Sequence, residues 1–396
     1  MEKLKIINGK ILTPNRTVSG MIYVESGKIR EVGDRIPEIS DACVINAKGC
    51  YVSPGFIDIH THGAGNYDFM DGSVEACLQI AEMHAAHGTT ALYPTTLASA
   101  TEELEQTFSV YREAKFRNIK GASLMGIHLE GPYFSINQRG AQDPRYIRNP
   151  KRNEYLKILN KHAGEIARWS SAPELPGSKE FAETLRNFNI LPAIAHSDAI
   201  YEEVEEAFDW GYTHVTHLYS CTSGITRRNG LRYAGIIEAS YLIPGMTVEI
   251  IADGVHLPES LLKLVYQIKG AEKIALITDS MRAAGMPDGP SVLGSLHNGQ
   301  PVIVEDGVAK LPDRSAFAGS VATADRLVRV MHLSGGVPLP ETIRMITSTP
   351  ARIMGIDKTK GSLTNGKDAD IVIFDENINI KTVIINGKII LNNLSL

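Results

Sequence analysis

The sequence has little cysteine and no long apolar segment. Its four cysteines among 396 residues form no Cys-x-x-Cys pair, and we expect free thiols in a reducing compartment at Cys43, Cys50, Cys77 and Cys221. No run approaches the roughly 18 apolar residues that span a bilayer. The first five residues also lack the apolar stretch of a secretory signal. We therefore expect a cytoplasmic location and no membrane partner.

An excess of basic residues is also missing, because 40 Lys and Arg stand against 45 Asp and Glu. The net charge of -5 gives no basic footprint for nucleic acid. Hydrophobic content of 43% and charged content of 21% are ordinary for a globular protein that buries a substantial core. The length exceeds that of a usual single domain, although α/β barrels run to about 250 residues as one unit. We expect one large domain and one small one.

Strand-like apolar runs alternate with amphipathic helical stretches from about residue 54 to 280. Eight runs end near His60, Tyr93, Glu130, Ser170, His196, His217, Asp253 and Asp279. The helical patterns between them include residues 76–86, 102–116, 179–188, 201–208 and 258–268. Eight strands with intervening helices predict an α/β fold of the TIM-type (β/α)8 barrel, whose chemistry belongs at the C-terminal strand ends.

The two ends of the chain differ from this middle part. Short β runs there are separated by turn signals such as Asn8-Gly9, Asn365-Gly366 and Asn386-Gly387. We expect both ends to pair into one small β-sandwich domain, residues 1–52 plus 359–396, beside a barrel domain of residues 53–358. Truncating either end should then cost stability.

A His-x-His pair, His60 and His62, closes the first barrel run. Strand alternation puts both imidazoles on one side. A lone histidine at a strand end is more often a hydrogen-bonded core residue, and a lone Asp or Glu is often a helix N-cap. The pair, with acid or imidazole residues at Glu130, His196, His217 and Asp279, instead favours a hydrolytic metal site. His214 lies on the same segment as His217, and periodicity does not choose between them.

Several motifs resemble those of the amidohydrolase superfamily, over essentially the whole chain. The superfamily motifs are residues 54–63, 360–363, 366–370 and 383–388. Within the superfamily, residues 128–133, 195–197, 216–219, 252–256 and 278–280 resemble the family of the N-acetylglucosamine-6-phosphate deacetylases. The His-Leu-Glu-Gly-Pro segment, residues 128–132, is the most specific of these matches.

The resemblance implies a divalent metal held by Glu130, His196 and His217, with a coordination position left for water. It implies that Asp279 is the catalytic base, and that acetate and a free amino sugar are the products. It also implies that His60 and His62 help to hold a second metal. We expect zinc first, with iron, cobalt or manganese as alternatives, and one or two ions per subunit. His128 faces the same side as Glu130, and we expect it to support the site by a hydrogen bond.

For the substrate, an amino-sugar phosphate, the resemblance implies binding residues on four segments. They are Ala141, Gln142, Ser220, Cys221, Arg228, His256, Phe317, Ala318, Gly319 and Ser320. Backbone N–H groups of the last four would meet a polar substrate group ahead of a helical pattern at residues 322–331. A simple helix cap at Gly319-Ser320 and a solvated surface arginine at Arg228 are the alternatives.

The sequence departs from the family in the substrate shell. Members commonly have histidine at the position of Gln142 and Asn-Ala at Ser220-Cys221. The galactosamine epimer or another N-acyl sugar therefore remains an alternative substrate. A cyclic-amide hydrolase and a catalytically silent binding protein remain alternative functions. The resemblance also implies a homodimer, in which His256 would serve the neighbouring subunit.

Overall fold

A computed structural model of the protein describes residues 3–13 and 16–394. The first strands are β1 (Lys3–Leu12), β2 (Thr17–Glu25), β3 (Lys28–Gly33), β4 (Cys43–Asn46) and β5 (Tyr51–Pro54). β1 pairs with β2 antiparallel and with β4 and β5 parallel. Ser26 and Gly27 both have positive φ, so they form the tight turn that returns the chain from β2 to β3.

The middle of the chain contains the strands of a barrel and several short hairpins. The strands are β6 (Phe56–Thr61), β7 (Gly63–Ala64), β8 (Tyr67–Asp68), β9 (Thr89–Thr96), β10 (Ser123–Leu124), β11 (Ile127–Glu130), β12 (Ile166–Ser171), β13 (Leu191–Ile194), β14 (His214–Val215), β15 (Thr226–Arg228), β16 (Leu231–Tyr233), β17 (Thr247–Ile250) and β18 (Ile274–Leu276).

Within the described residues, eight of these strands run parallel in the order β6, β9, β11, β12, β13, β14, β17 and β18. The circle closes where Asp279 N donates to His60 O at 2.9 Å and Thr61 pairs with Ser280. Asp58 strengthens this closure, because its carboxylate accepts from the hydroxyl of Thr278 at 2.5 Å. The predicted (β/α)8 barrel is confirmed, with strands at all eight predicted positions.

A four-stranded antiparallel sheet follows the last barrel strand. It consists of β19 (Gly289–Leu293), β20 (Gln300–Glu305), β21 (Val308–Lys310) and β22 (Phe317–Ser320). We call it the cover sheet. Arg282 is fully buried and fixes this sheet to the first barrel loop, because it donates to Val292 O at 2.9 Å and pairs with Asp71 at 2.7 Å.

Helices lie in the connections between barrel strands and, for the last three, after the final barrel strand. They are α1 (Val74–Ala86), α2 (Thr101–Arg117), α3 (Arg152–His162), α4 (Ser178–Asn187), α5 (Tyr201–Trp210), α6 (Ile236–Leu242), α7 (Glu259–Lys269), α8 (Ala324–Arg329), α9 (Leu339–Ile346) and α10 (Ser348–Ile353), with a 3₁₀ turn at Ile136–Gln138 and a π-helical turn at Val330–Ser334. Each of the five predicted helical patterns up to residue 268 is a helix. Over the described ranges, no helix has the length and apolar character that a membrane crossing requires.

The last strands are β23 (Ile371–Phe374), β24 (Ile380–Ile385) and β25 (Lys388–Asn392). β23 pairs antiparallel with β5, so both ends of the chain contribute to one sheet of eight described strands, which we call the end sheet. Its apolar core includes Ile6, Ile22, Ile371 and Ile384. Lys360 joins the neighbouring loops, because its Nζ lies 2.6 Å from the buried carboxylate of Asp370.

Candidate metal centre

His60 and His62 lie at the end of the first barrel strand, and both imidazoles turn to the same side. Their Nε2 atoms are 3.3 Å apart. Each of these atoms is 3.3 Å from Oδ1 of Asp279, which lies just beyond β18. All three side chains are buried, and their spacing suits a metal ion. We call this set the first ligand group.

A second ligand group consists of Glu130, His196 and His217. Glu130 is the last residue of β11, and each histidine lies two residues beyond its strand, β13 or β14. Oε1 of Glu130 is 3.2 Å from Nε2 of His196 and 2.9 Å from Nε2 of His217. Three distant parts of the sequence therefore meet at one carboxylate.

Three of these residues have left-handed backbone, with φ of 48° at His196, 31° at His217 and 46° at Asp279. This conformation costs about 1 to 3 kcal/mol outside glycine, and it persists where the surrounding structure holds it. At Asp279 the main chain is held on both sides, because its N–H donates to His60 O and its carbonyl accepts from Ser320 at 2.8 Å. Backbone strain thus accompanies three of the six ligand residues.

Hydrogen bonds fix which nitrogen of each histidine carries the proton. Nδ1 lies 3.2 Å from Thr95 O in His62, 2.8 Å from Gln138 O in His196 and 3.1 Å from Ser220 O in His217. A carbonyl only accepts, so each Nδ1 carries the hydrogen and each Nε2 presents a lone pair. Those lone pairs face the oxygens of Glu130 and Asp279. Acceptors facing acceptors repel unless a cation lies between them.

The pKa values express the same demand for positive charge. Burial opposes a charge on His62, yet the Asp279 and Glu130 carboxylates raise the pKa of its imidazole to about 10. Burial also opposes ionisation of Glu130, yet the histidines, led by His60, hold its pKa well below the usual range. Imidazole and carboxylate are ligands of zinc and other transition metals, so the donors present fit a divalent cation.

Glu130 joins the two ligand groups. Its Oε2 is 3.4 Å from Nε2 of His62, and its Oε1 is 3.7 Å from Nε2 of His60. Gln142 holds this carboxylate from the other side, because its amide donates to Oε2 of Glu130 at 2.9 Å. The amide oxygen of Gln142 accepts from Ala98 N at 2.8 Å. The amide is therefore fixed at both ends.

A cavity of about 270 Å³ opens above the ligand groups. Twelve residues predicted for the site line it: His62, Glu130, Ala141, Gln142, His196, His217, Ser220, Cys221, His256, Asp279, Phe317 and Gly319. Leu97, Tyr219, Leu293 and Ala316 line it as well and were not predicted. Tyr219 belongs to the family motif of residues 216–219, and this motif was the sequence signal that could have identified it. The cover sheet supplies the apolar side of the wall.

His256 and Arg228 have different positions. The Nδ1 atom of His256 lies 2.8 Å from Asp253, and its ring contacts Phe317 at 4.7 Å, so this histidine lines the cavity of its own chain. Arg228 lies in the exposed hairpin of β15 and β16, beside Tyr233, and is not among the described residues that line the cavity.

The alternative interpretation of Gly319-Ser320 as a helix cap is wrong. Phe317–Ser320 is strand β22, and Thr323 occupies the N-cap position of α8. Ser320 donates its N–H to Asp279 O, and its hydroxyl bonds Thr278 O at 2.5 Å, so these groups hold the loop of Asp279. Ala318 and Ser320 are buried behind the wall of the cavity.

Histidines that approach the site from below do not reach the second ligand group. His214 lies within β14 and its Nδ1 meets Thr247 at 2.8 Å, so His217 is the residue that faces Glu130. His128 bonds Ser170 at 2.7 Å and accepts from Arg168 at 2.7 Å.

Sequence reasoning missed two buried charged residues on barrel strands, Arg168 and Glu249. They form an ion pair beneath the ligand groups. The available signal was a charged residue in the middle of each apolar run, residues 166–170 and 247–253.

The chain is similar to known proteins over nearly its whole length. Residues 51–390 match the model of the Amidohydrolase family. The N-acetylglucosamine-6-phosphate deacetylase of Lysinibacillus sphaericus is 32% identical over 93% of this chain and 92% of its own length. That of Bacillus subtilis is 33% identical over 98% and 97%. The N-acetylgalactosamine-6-phosphate deacetylase of Escherichia coli O157:H7 is 30% identical over 85% and 86%.

Solved structures give the same result. The N-acetylglucosamine-6-phosphate deacetylase of Pasteurella multocida superposes with a TM-score of 0.90 at 27% identity, covering 98% of this chain and 99% of that one. A mutant of the Mycobacterium smegmatis enzyme, in complex with N-acetyl-D-glucosamine-6-phosphate, superposes with a TM-score of 0.89 at 29% identity, covering 99% and 100%.

Proposed function

Because the chain belongs to the amidohydrolase family, and within it to the N-acetylglucosamine-6-phosphate deacetylases, we propose that it hydrolyses the N-acetyl group of N-acetylglucosamine 6-phosphate. The products are glucosamine 6-phosphate and acetate, which places the enzyme in amino-sugar catabolism. The observation that carries the proposal is the meeting of two histidine and carboxylate groups at Glu130, on the floor of a cavity of about 270 Å³.

The second ligand group, Glu130, His196 and His217, would hold one divalent cation, and the first group, His60, His62 and Asp279, would hold another. A bound cation supplies a Lewis acid that lowers the pKa of water and polarises a carbonyl. Zinc suits these ligands, with iron, cobalt and manganese as alternatives. Gln142 holds Oε2 of Glu130, which leaves Oε1 directed at His196 and His217.

Asp279 has the properties of the base. Burial would raise its pKa, but His60 and His62 lower it, so Asp279 is a carboxylate at neutral pH. It also lines the cavity. Asp279 takes the proton of the water that attacks the acetyl carbonyl and delivers it to the amine nitrogen as the C–N bond breaks. Leu97, Leu293 and Phe317 form an apolar part of the wall beside it.

The sugar phosphate would contact the polar wall of the cavity. His256 lines that wall with its ring fixed by Asp253, and Ser220 and Cys221 lie beside the second ligand group. Ala141, Phe317 and Gly319, which line the cavity, complete the proposed contacts. Arg228 can grip phosphate oxygens in pairs, but as the chain stands alone it lies on the exposed hairpin.

In a homodimer, Arg228 would contact the substrate phosphate in the site of the neighbouring subunit. Ile225 and Leu231 flank it and are 66% and 64% exposed, so a partner subunit that reached Arg228 would cover them as well. We expect Ile225→Lys with Leu231→Lys to turn a dimer into a monomer in sedimentation equilibrium, and to raise KM for the phosphorylated sugar more than it lowers kcat. A wild-type protein that sediments as a monomer would contradict the dimer.

A second candidate substrate is N-acetylgalactosamine 6-phosphate. The Escherichia coli O157:H7 relative carries that activity in its name, and Gln142, Ser220 and Cys221 differ from the common family residues. A cyclic-amide hydrolase is less favoured, because Glu130 occupies the strand end where such enzymes usually carry a modified lysine. A silent binding protein is less favoured as well, because both ligand groups and Asp279 are intact.

The test measures acetate release by zinc-loaded protein from both epimers, with and without the 6-phosphate. We expect the glucosamine substrate with phosphate to be preferred. Asp279→Asn should lower kcat by roughly 10³-fold, because general base catalysis contributes about 10² to 10⁴. One cation should remain at Glu130, His196 and His217.

Asp375→Asn, at a loop remote in sequence from the site, is the control and should leave kcat unchanged. A fully active Asp279→Asn variant would refute the assigned base.

We also place the protein in the cytoplasm, and the support is that the four cysteines are unpaired in the described chain.

A further inference from the structure

A buried ion pair lies directly beneath the first ligand group. Arg168 on β12 and Glu249 on β17 are both inaccessible to solvent, and Nη1 of Arg168 bonds Oε1 of Glu249. Arg168 also donates to Ile59 O at 3.0 Å and to Nδ1 of His128 at 2.7 Å. Burying two charges is costly unless they are paired, and here the two charges pair with each other, while Nε of Arg168 has no hydrogen-bond partner among the described residues.

Glu249 uses its two oxygens in different directions. Oε1 takes the guanidinium of Arg168 and lies 3.2 Å from Nε2 of His214. Oε2 lies 3.2 Å from Nδ1 of His60 and 3.4 Å from the backbone N of His217. The carboxylate of Glu249 therefore connects the guanidinium of Arg168 with the ligand residues His60 and His217.

His60 differs in this respect from the other histidines of the two ligand groups. The Nδ1 atoms of His62, His196 and His217 meet neutral backbone carbonyls, whereas the Nδ1 atom of His60 meets a carboxylate. A carboxylate behind an imidazole fixes the tautomer and the ring orientation, and it makes the opposite nitrogen a stronger ligand.

We propose that Glu249 is a positioning residue for a cation held by His60, His62 and Asp279, and that its contact with His60, rather than its pairing with Arg168, performs this task. The inference rests on the proposed metal-dependent function, because it assigns a supporting residue to one of its two ligand groups. With the hydrogen of His60 on Nδ1, its Nε2 lone pair points at His62 and Asp279, each 3.3 Å away.

An amide at position 249 cannot replace the carboxylate. Arg168 and the Nδ1 hydrogen of His60 are both donors, and each needs an acceptor from residue 249. Glutamine has one acceptor oxygen and one NH₂ group, so Glu249→Gln leaves either the arginine or the histidine facing a donor. Because the charged guanidinium makes the stronger hydrogen bond, the amide oxygen faces Arg168 and the NH₂ group faces His60, so the isosteric change disturbs His60 while it preserves volume.

The test compares Glu249→Gln with Arg168→Met and with Asp370→Asn. Arg168→Met keeps the contact between Glu249 and His60, and Asp370→Asn breaks a buried ion pair in the end sheet, far along the chain from the ligand groups. Purified apo-protein of each variant is loaded with Zn²⁺ or Co²⁺. Cations per chain are counted by elemental analysis, affinities follow from competition with a chelator, and the visible spectrum of bound Co²⁺ reports its ligands.

We expect wild type, Arg168→Met and Asp370→Asn to bind two cations. Glu249→Gln should bind one with unchanged affinity and the other at least 10-fold more weakly, with a changed Co²⁺ spectrum. Glu249→Leu, which offers no acceptor at all, should behave in the same way and is the second variant if Glu249→Gln is poorly folded.

The inference is overturned if the folded Glu249 variants bind both cations like the wild type. It is also overturned if Arg168→Met loses the same cation to the same degree, because the pair would then be merely structural. A wild type that binds a single cation, at Glu130, His196 and His217, overturns it too. Acetate release is measured separately, so a wild type that binds two cations without deacetylating the sugar phosphate would refute the proposed function alone.

Discussion

At the scale of single residues, the site depends on side chains that hold the ligands as much as on the ligands themselves. Gln142 is the clearest case, because one amide bridges Ala98 N and Oε2 of Glu130. The amide donates to the carboxylate without a charge of its own, and Gln142 also lines the cavity. One side chain therefore both orients Glu130 and forms part of the cavity wall.

The Gln142→Leu variant tests this. Loss of the donor frees Oε2 of Glu130 and leaves Ala98 N without its acceptor, so we expect a roughly 10- to 100-fold weaker cation at Glu130, His196 and His217. Chelator competition measures that affinity. Gln138→Leu is the matched control in the same loop, because its side chain binds Asp198 and its carbonyl still accepts from His196. Equal affinities in the two variants would contradict the expectation.

Residue-level prediction from the sequence succeeds where chemistry is repeated and fails where it is hidden. The His-x-His pair and the acid and imidazole residues at strand ends are conspicuous, and they converge as expected. Glu249 escaped notice because a single charge inside an apolar run has no distinctive spacing. Its partner Arg168 lies about 80 residues earlier, and only the closed barrel brings the two together.

At the scale of elements, strands and helices of the barrel follow the hydrophobic pattern, and the cover sheet does not. The barrel strands are continuous apolar runs because helices cover them on the outside and side chains fill the inside. The cover sheet packs through a small cluster that includes Val302, Val304 and Ala318. Such short antiparallel strands leave a weak periodic signal, and no strand between residues 280 and 317 was predicted.

Helix α7 allows a pH-dependent prediction. Lys269 in its last turn is 8% exposed and donates to Ser240 O at 2.6 Å. Burial, with a smaller part from Lys273, lowers the pKa of Lys269 from 10.5 to about 8. Because the unfolded chain holds this proton more tightly, the folded state gains stability as pH rises from about 8 to 10.5.

As pH rises through this range, the free energy of unfolding of the wild type should increase by up to about 3 kcal/mol relative to that of Lys269→Met. Urea unfolding at several pH values measures it. Lys263→Met, on the exposed side of the same helix, should show no such trend against the wild type. If the difference in unfolding free energy between the wild type and Lys269→Met does not change with pH, Lys269 does not have the lowered pKa.

At the scale of the whole molecule, the end sheet needs both ends of the chain. β5 pairs with β1 on one side and β23 on the other, and the buried Ile371, Ile373 and Ile384 belong to its core. Turn signals in the sequence predicted strands at both ends. The order of the strands was beyond prediction, because pairing partners are set by contacts hundreds of residues apart.

Removal of residues 371–396 should unfold the protein. Each large apolar side chain buried in this segment contributes about 1.5 to 3 kcal/mol, and several together equal the 5 to 15 kcal/mol of a typical domain. We expect circular dichroism to show no cooperative melt, and limited proteolysis to be rapid. Ile389→Ala, at a 40% exposed position of β25, should melt near the wild type. A truncated chain that melts like the full one would show that the barrel stands without the end sheet.

The pairing of β5 with β23 also has a consequence for biosynthesis. The two partners are about 320 residues apart, so the early strand waits on the ribosome for roughly 15 to 60 seconds before its neighbour is translated. During that interval one edge of the nascent sheet is open to other chains. We expect chaperones to bind the growing polypeptide at this open strand edge. Expression at low temperature slows aggregation and should therefore improve the yield of folded enzyme.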